Sequence, residues 1–169
     1  MRVAAREAQA ADVAVLTDMY RMLEDEMTAL HPMWPLADGL AEPVEESLEA
    51  AISEPDVWVW VGEIEEVPFG FLVARVERML PQGGGAEVGS IRMVFSHPDA
   101  REVGVAEAMR DAALAEFRNR NITRFDAHVL PGHRLAKNFF EAGGFSARSI
   151  IMHHDDHPGE RPGRDPRRL

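Results

Sequence analysis

Residues 101 to 106, Arg101-Glu102-Val103-Gly104-Val105-Ala106, place a glycine where an apolar strand gives way to a helix. Backbone N–H groups at the first turn of a helix have no partner within the helix. They point the same way and carry partial positive charge, so they form a cradle for an anion such as a diphosphate. Glycine lets that anion approach the main chain. The run lacks the lysine and hydroxyl residue of a P-loop and the spacing of a dinucleotide fingerprint. Taken by itself it reads equally as a capped helix whose glycine serves packing. Two side chains nearby in the strand pattern, Glu87 and His128, have the chemistry of proton acceptors. Each has a plain reading as well, Glu87 as a solvated strand end and His128 as a polar residue on a partly exposed face. The run His153-His154-Asp155-Asp156-His157 contains metal-ligand residue types. It lies in an arginine-rich terminal stretch and reads as a solvated segment, so no metal is expected.

The surroundings of the glycine narrow its meaning. Ile91-Arg92-Met93-Val94-Phe95-Ser96-His97-Pro98-Asp99-Ala100 runs into the Arg101 to Ala106 stretch. Together they resemble the strand–loop–helix signature of the GNAT superfamily of N-acetyltransferases, in which an apolar strand leads into Pro-x-x-Arg/Gln-x-x-Gly-x-Gly/Ala. Further along, residues 133 to 145, His133-Arg134-Leu135-Ala136-Lys137-Asn138-Phe139-Phe140-Glu141-Ala142-Gly143-Gly144-Phe145, are similar to the second motif of that superfamily, Asn-x-x-Ala-x-x-Phe-Tyr-x-x-x-Gly-Phe. The two motifs agree in order, spacing and setting, and the resemblance covers residues 1–152.

The resemblance implies a GNAT fold, an α/β domain with a mixed, mostly antiparallel sheet of six to seven strands flanked by about four helices. It implies acetyl-CoA or another acyl-CoA as cosubstrate, and direct attack of an amine, on a small molecule or a protein, upon the thioester. Carried over position by position, Val94 and Ser96, with Phe95 between them, hold the pantetheine arm through the backbone. Arg101, Glu102, Val103, Gly104, Val105 and Ala106 hold the pyrophosphate. His133 stands where the superfamily usually has asparagine, and Phe140 where it usually has tyrosine; both count among the cofactor-binding positions. Arg92 replaces a glutamate that many members carry on this strand. With the usual acid and base absent, Glu87 and His128 remain as catalytic candidates. A thiolate with an intrinsic pKa near about 8.5 departs with little help, so the missing tyrosine does not preclude transfer. The same departures keep open a different reading, an acyl-CoA-binding sensor or interaction module with little turnover. Many members are homodimers, which the resemblance extends to this chain.

Alternating strand and helix signals supply the elements that must position these residues. Strands are expected over residues 2–6, 57–61, 69–79, 87–96, 124–130 and 145–152, where β-branched and aromatic residues cluster between turn signals. Asp12 is the expected N-cap of a first helix whose apolar face carries Val13, Leu16, Tyr20, Leu23, Met27 and Leu30. Further helices are expected over residues 44–52, 105–118 and from Leu135 to the Gly143-Gly144 cap. Met33 and Trp34, in a proline-broken loop, either line an acceptor pocket or, in the case of Trp34, anchor the loop on the core. Gly83, Gly84 and Gly85 read as a hairpin tip, because no helix follows them.

The chain of 169 residues carries 18 basic and 29 acidic residues, a net charge of −11, and no cysteine. Length and composition suit one domain over residues 1–152, followed by a mobile tail over residues 153–169. The tail holds four acids and four arginines, so the whole negative charge lies in the domain. Such a field disfavours nucleic acid. The lack of cysteine excludes disulfides and thiol catalysis. No membrane span is expected, no signal peptide is apparent, and a cytoplasmic protein is the expectation.

Overall fold

The computed structural model describes residues 1–157; the expectation of a mobile tail, so far as it concerns residues 158–169, lies outside the described residues. In chain order the elements are β1 (Val3–Glu7), α1 (Val13–Leu30), a short α2 (Trp34–Ala37), α3 (Val44–Ser53), β2 (Val57–Ile64), β3 (Val67–Arg78), β4 (Glu87–Ser96), α4 (Val105–Asn119), β5 (Phe125–Ala127) and α5 (Arg134–Ala142). The five strands pair in sequence order, antiparallel from β1 to β4, and β5 joins β4 in parallel. That last connection needs a crossover, which α4 supplies. No helix among the described residues is long and apolar enough to cross a membrane.

Helices cover both faces of the sheet. On one, Leu16, Tyr20, Leu23 and Met27 of α1 and Val44 and Leu48 of α3 pack on Val61, Phe71, Val73, Met93 and Phe95. On the other, Val105, Met109, Ala113 and Phe117 of α4 pack on Trp58, Leu72, Ala74 and Ile91. Three strand glycines set how closely α4 approaches. A Cβ on Gly62 would lie 2.5 Å from Val105, one on Gly70 2.9 Å from Met109, and one on Gly89 2.4 Å from the Phe117 ring. Gly62 and Gly70 are cross-strand partners, so the first turn of α4 rests on bare backbone. The sheet thereby fixes where that helix begins.

Asp12 stands at the N-cap position of α1, as expected, but its side chain makes no cap hydrogen bond to the helix. Its carboxylate accepts from the Gln9 N–H at 2.7 Å and, in a bidentate pair, from Arg6 at 2.8 and 2.9 Å. Arg6 also donates from Nε to Glu63 at 2.6 Å, which ties β1, β2 and the entry to α1 together. This guanidinium holds the Asp12 carboxyl below the ordinary carboxylate range. A charged double hydrogen bond outweighs a single cap when both compete for one carboxylate.

The expectation of six to seven strands is corrected to five among the described residues. Residues 146–152 enter no ladder, and Ile150, Ile151 and Met152 are 70%, 85% and 87% exposed. Phe145 remains attached through its N–H to the Phe140 carbonyl, at 3.0 Å. β propensity yields a strand only against a partner edge and a partly buried face. Here β5 spans three residues rather than the seven expected, and a side-chain pair, Arg148 Nε to Asp126 at 2.7 Å, takes the place of backbone bonds.

Gly89→Ala should lower the stability of the fold by about 2 kcal/mol, because the Phe117 ring has no free direction in which to yield. Urea unfolding should show a lower midpoint with an unchanged slope.

Candidate functional site

The β4–β5 ladder has only three rungs, Gly89 with Phe125, Ser90 with Asp126 and Ile91 with Ala127. The His128 N–H closes it on the Ile91 carbonyl at 3.0 Å. Beyond that point β4 runs on to Ser96, and among the described residues no backbone hydrogen bond joins residues 92–96 to the chain after His128. The two parallel strands part and leave a wedge. Which backbone groups face it follows from pairing parity. The His97 N–H reaches the Phe69 carbonyl at 2.7 Å, so Ser96 and Gly70 form a non-hydrogen-bonded pair. Ser96 and, two residues back, Val94 therefore turn their N–H and C=O groups away from β3 and into the wedge. The Ser96 Oγ is also buried without a partner among the described residues.

At the wedge mouth the chain enters α4 through two left-handed residues, Glu102 at φ 69° and Gly104 at φ 93°. The N–H groups of Glu102, Val103, Gly104, Val105, Ala106 and Glu107 have no backbone or side-chain acceptor among the described residues; Ala108, bonded to the Gly104 carbonyl at 3.0 Å, is the next to find one. Alternating left-handed and right-handed residues bend consecutive amides towards a common centre, the form of an anion nest, and the helix dipole adds to it. Glutamate in the left-handed region costs roughly 1 kcal/mol or more, a strain characteristic of binding loops. Glu102 and Glu107 are exposed, so both carboxylates lie in water rather than in the nest.

Three charged or titratable groups bridge the mouth. Arg101 donates from Nε to the Ser96 carbonyl at 3.3 Å and from Nη2 to Glu26 of α1. Its side chain thus occupies one of the two backbone rungs expected for pantetheine, and it turns from the amide nest. His133, at the start of α5, is half-buried; burial lowers its imidazole pKa, and Arg101 adds to this while Glu26 opposes it. Glu26 was not among the residues the sequence singled out. It is 75 residues from its partner, and its place on the outer face of α1 carries no local signal.

At the wedge apex, Arg92 is the extra residue of a bulge: Met93 opposes Val73 and Ile91 opposes Ala74, and Arg92 has no partner on β3. Its Nη1 lies 3.3 Å from Glu77 and 3.4 Å from the His128 Nε2. Loss of hydration and then the Arg92 charge hold the His128 imidazole below its ordinary pKa, so it is neutral at pH 7. Of the two acid–base candidates, His128 lies at the apex. Glu87 does not. It pairs with Arg78 before the ladder begins, on the closed side of the apex, and the rise of about 3.4 Å per residue sets it some 20 Å from Val94.

The remaining candidates are placed as follows. Phe140 is 3% exposed, with its ring against Phe139 and Phe145. Trp34 is 6% exposed and 6.3 Å from the Tyr20 ring, in the position of a loop anchor. Met33 is partly buried, and its N–H donates to His31 Nδ1 at 3.1 Å. Tyr20, the single tyrosine, accepts from the Leu40 N–H at 2.9 Å, and burial pushes its pKa up to about 12; it holds the loop rather than the wedge. A surface hollow of about 440 Å³ lined by Arg2, Arg6, Glu63 and Glu66 lies on β1 and β2, remote from these groups.

The sequence model of the acetyltransferase (GNAT) family matches residues 16–145. No curated protein matches the chain in sequence. Among solved structures, the aminoglycoside acetyltransferase AAC(6')-Iy in complex with the bisubstrate analogue CoA-S-monomethyl-acetylneamine is similar with a TM-score of 0.68 at 16% identity, covering 92% of this chain and 99% of the other. The BH1408 protein from Bacillus halodurans, as its tetramutant, gives a TM-score of 0.76 at 16% identity with the same coverage. A predicted acetyltransferase with acetyl-CoA from Clostridium acetobutylicum gives 0.67 at 15% identity, covering 91% and 96%. At these identities the likeness is one of fold.

Titration of His128 followed by NMR should give a pKa below about 6.5, the unperturbed value. Arg92→Met removes a neighbouring cation and should move that pKa upward; no upward movement would mean that the guanidinium does not face the ring.

Proposed function

The chain belongs to the acetyltransferase (GNAT) family, and from that premise we propose that it transfers an acetyl group from acetyl-CoA to a primary amine by direct attack on the thioester. The observation that carries this reading is the row of unpartnered amides at residues 102–107, next to a strand edge with free backbone groups. A diphosphate suits the amides, and a pantetheine arm suits the edge at Val94 and Ser96, as a strand added in place of the rungs that β5 does not provide. An acidic chain can hold so anionic a ligand because main-chain dipoles, not net charge, make the contact.

Binding in this manner requires Arg101 to release the Ser96 carbonyl, and its guanidinium can then turn to the phosphates. The thioester carbonyl comes to lie near Val94, whose N–H faces the wedge and stabilises the oxyanion as the amine nitrogen bonds to the carbonyl carbon. The C–S bond breaks, the thiolate takes a proton from solvent, and the proton lost by the amine passes to the neutral imidazole of His128 or through it to water. Met33, on the proline-broken loop, stands on the acceptor side, with Trp34 as its anchor.

A second reading has its own observation. Phe140 offers no hydroxyl and is packed into an aromatic cluster, so a chain that binds acetyl-CoA as a sensor without turnover is also built from these parts. The absence of cysteine makes the two separable, since a thiol reagent reports released CoA against no protein background. With a panel of amines the transfer reading expects thiol release; heat of acetyl-CoA binding in calorimetry without any release would favour the sensor.

Gly104→Asp should weaken acetyl-CoA binding by about a hundredfold or more, because it places a carboxylate at the nest. A Cβ there meets no atom within 4 Å, and the left-handed backbone at φ 93° costs a non-glycine residue roughly 1–2 kcal/mol, which aspartate tolerates better than most, so the far-UV circular dichroism should be retained. Unchanged affinity in a folded Gly104→Asp variant would remove the nest from the account.

A further inference from the structure

We propose that Arg92 makes the wedge apex an anion subsite, so that the preferred acceptor is a primary amine carrying a carboxylate or phosphate a few bonds from its nitrogen. This rests on the transfer reading above and specifies its acceptor.

Arg92 is the first β4 residue beyond the last rung of β5, next to the His128 that ends the ladder. The bulge that leaves it without a partner on β3 directs its side chain to the face that carries Glu77 and His128. Around it lie the guanidiniums of Arg75, Arg92 and Arg148 and the carboxylates of Glu77 and Asp126. Arg148 is taken up by Asp126 at 2.7 Å. Arg75 and Arg92 then share one oxygen of Glu77, at 3.1 and 3.3 Å. Three cations face two anions, and His128 is neutral, so the cluster carries one uncompensated positive charge within a chain of net charge −11.

Arg75 likewise has a single nitrogen, Nε, engaged, so the two share the surplus; Arg75 is 48% exposed to water, and the less hydrated cation, beside His128, is Arg92. Only its Nη1 is engaged; Nε and Nη2 have no partner among the described residues, and the side chain is 26% exposed. A half-buried guanidinium with free donors suits one edge of a carboxylate or phosphate, in which two parallel N–H donors meet two oxygens. Such a ligand would also draw Nη1 from His128 and free the imidazole lone pair for the amine proton. A polycationic acceptor, in contrast, would bring ammonium groups against an unpaired guanidinium, at a cost of repulsion in a partly desolvated site.

The test is thiol release from acetyl-CoA with matched amines: β-alanine against β-alaninamide, O-phosphoethanolamine against ethanolamine, and spermidine. We expect kcat/KM for at least one anionic amine to exceed that of its neutral twin by about tenfold to a hundredfold. The two pairs distinguish carboxylate from phosphate. Arg92→Ala should abolish that preference by raising KM for the anionic amine, while KM for acetyl-CoA stays as it was; any change that reaches the reaction through His128 falls on kcat of both twins alike and leaves their ratio to report the subsite. Arg92→Lys should restore part of it. A preference for spermidine or for the neutral twins, or an equal loss with both members of a pair in Arg92→Ala, would overturn the inference. If acetyl-CoA binds but no amine is acetylated, the transfer reading fails. The subsite is then tested directly by the Arg92 Nε–H resonance of the CoA complex on addition of β-alanine and O-phosphoethanolamine, and its failure to shift with either would overturn the inference too.

Discussion

Two parallel strands that part after three rungs impose the constraint from which the site follows. Backbone N–H and C=O groups that leave a ladder must find other partners or face water, and β4 continues for five residues past its last bond to β5. The separation exposes the Val94 and Ser96 backbone along one wall. The crossover that makes the strands parallel begins at the mouth of the same wedge, where a helix must start with its amides unpaired. A donor-and-acceptor edge and a cluster of donors thus come from one topological feature. The glycines beneath α4 give it a fixed position, because Val105 and Met109 lie against backbone and not against side chains that could repack.

Charge is arranged within this frame so that recognition is local. The chain is strongly acidic, yet Glu102 and Glu107 lie in solvent, and the groups at the wedge are amides, two imidazoles and two arginines, the carboxylates there, Glu26 and Glu77, each being paired with an arginine. The arginines have different partners. Arg101 is held by Glu26 and the Ser96 carbonyl in the free protein, a contact that ligand must exchange, and it ties α1 to the end of β4. Arg92 is only partly satisfied, and its charge adds to burial in holding the neighbouring His128 imidazole below its ordinary pKa.

Local pattern sufficed for much of this. The apolar face of α1, the antiparallel strands β2 to β4, and the glycine at the head of α4 were readable, because each rests on the spacing of neighbours in the chain. What failed was decided at a distance. Asp12 has the sequence of a cap, but Arg6 and the Gln9 amide claim its carboxylate. Residues 145–152 have strand composition, yet they meet the short outer strand β5 through the Arg148–Asp126 side-chain pair and form no backbone ladder. Glu87 and His128 look equivalent as candidates until the register shows one on the closed and one on the open side of the apex. Glu26 was invisible, since its role depends on an arginine 75 residues away, and the bulge at Arg92 appears only when β3 and β4 are paired.

The central claim is that free amides at one helix start and free backbone groups along one strand edge together hold a CoA thioester. It is tested most directly by backbone ¹⁵N–¹H spectra of the protein titrated with CoA. The account predicts saturable shifts at Glu102, Val103, Gly104, Val105, Ala106 and Glu107, accompanied by shifts at Val94 and Ser96. Saturation with those amides unmoved, or shifts centred on another part of the sheet, would contradict it.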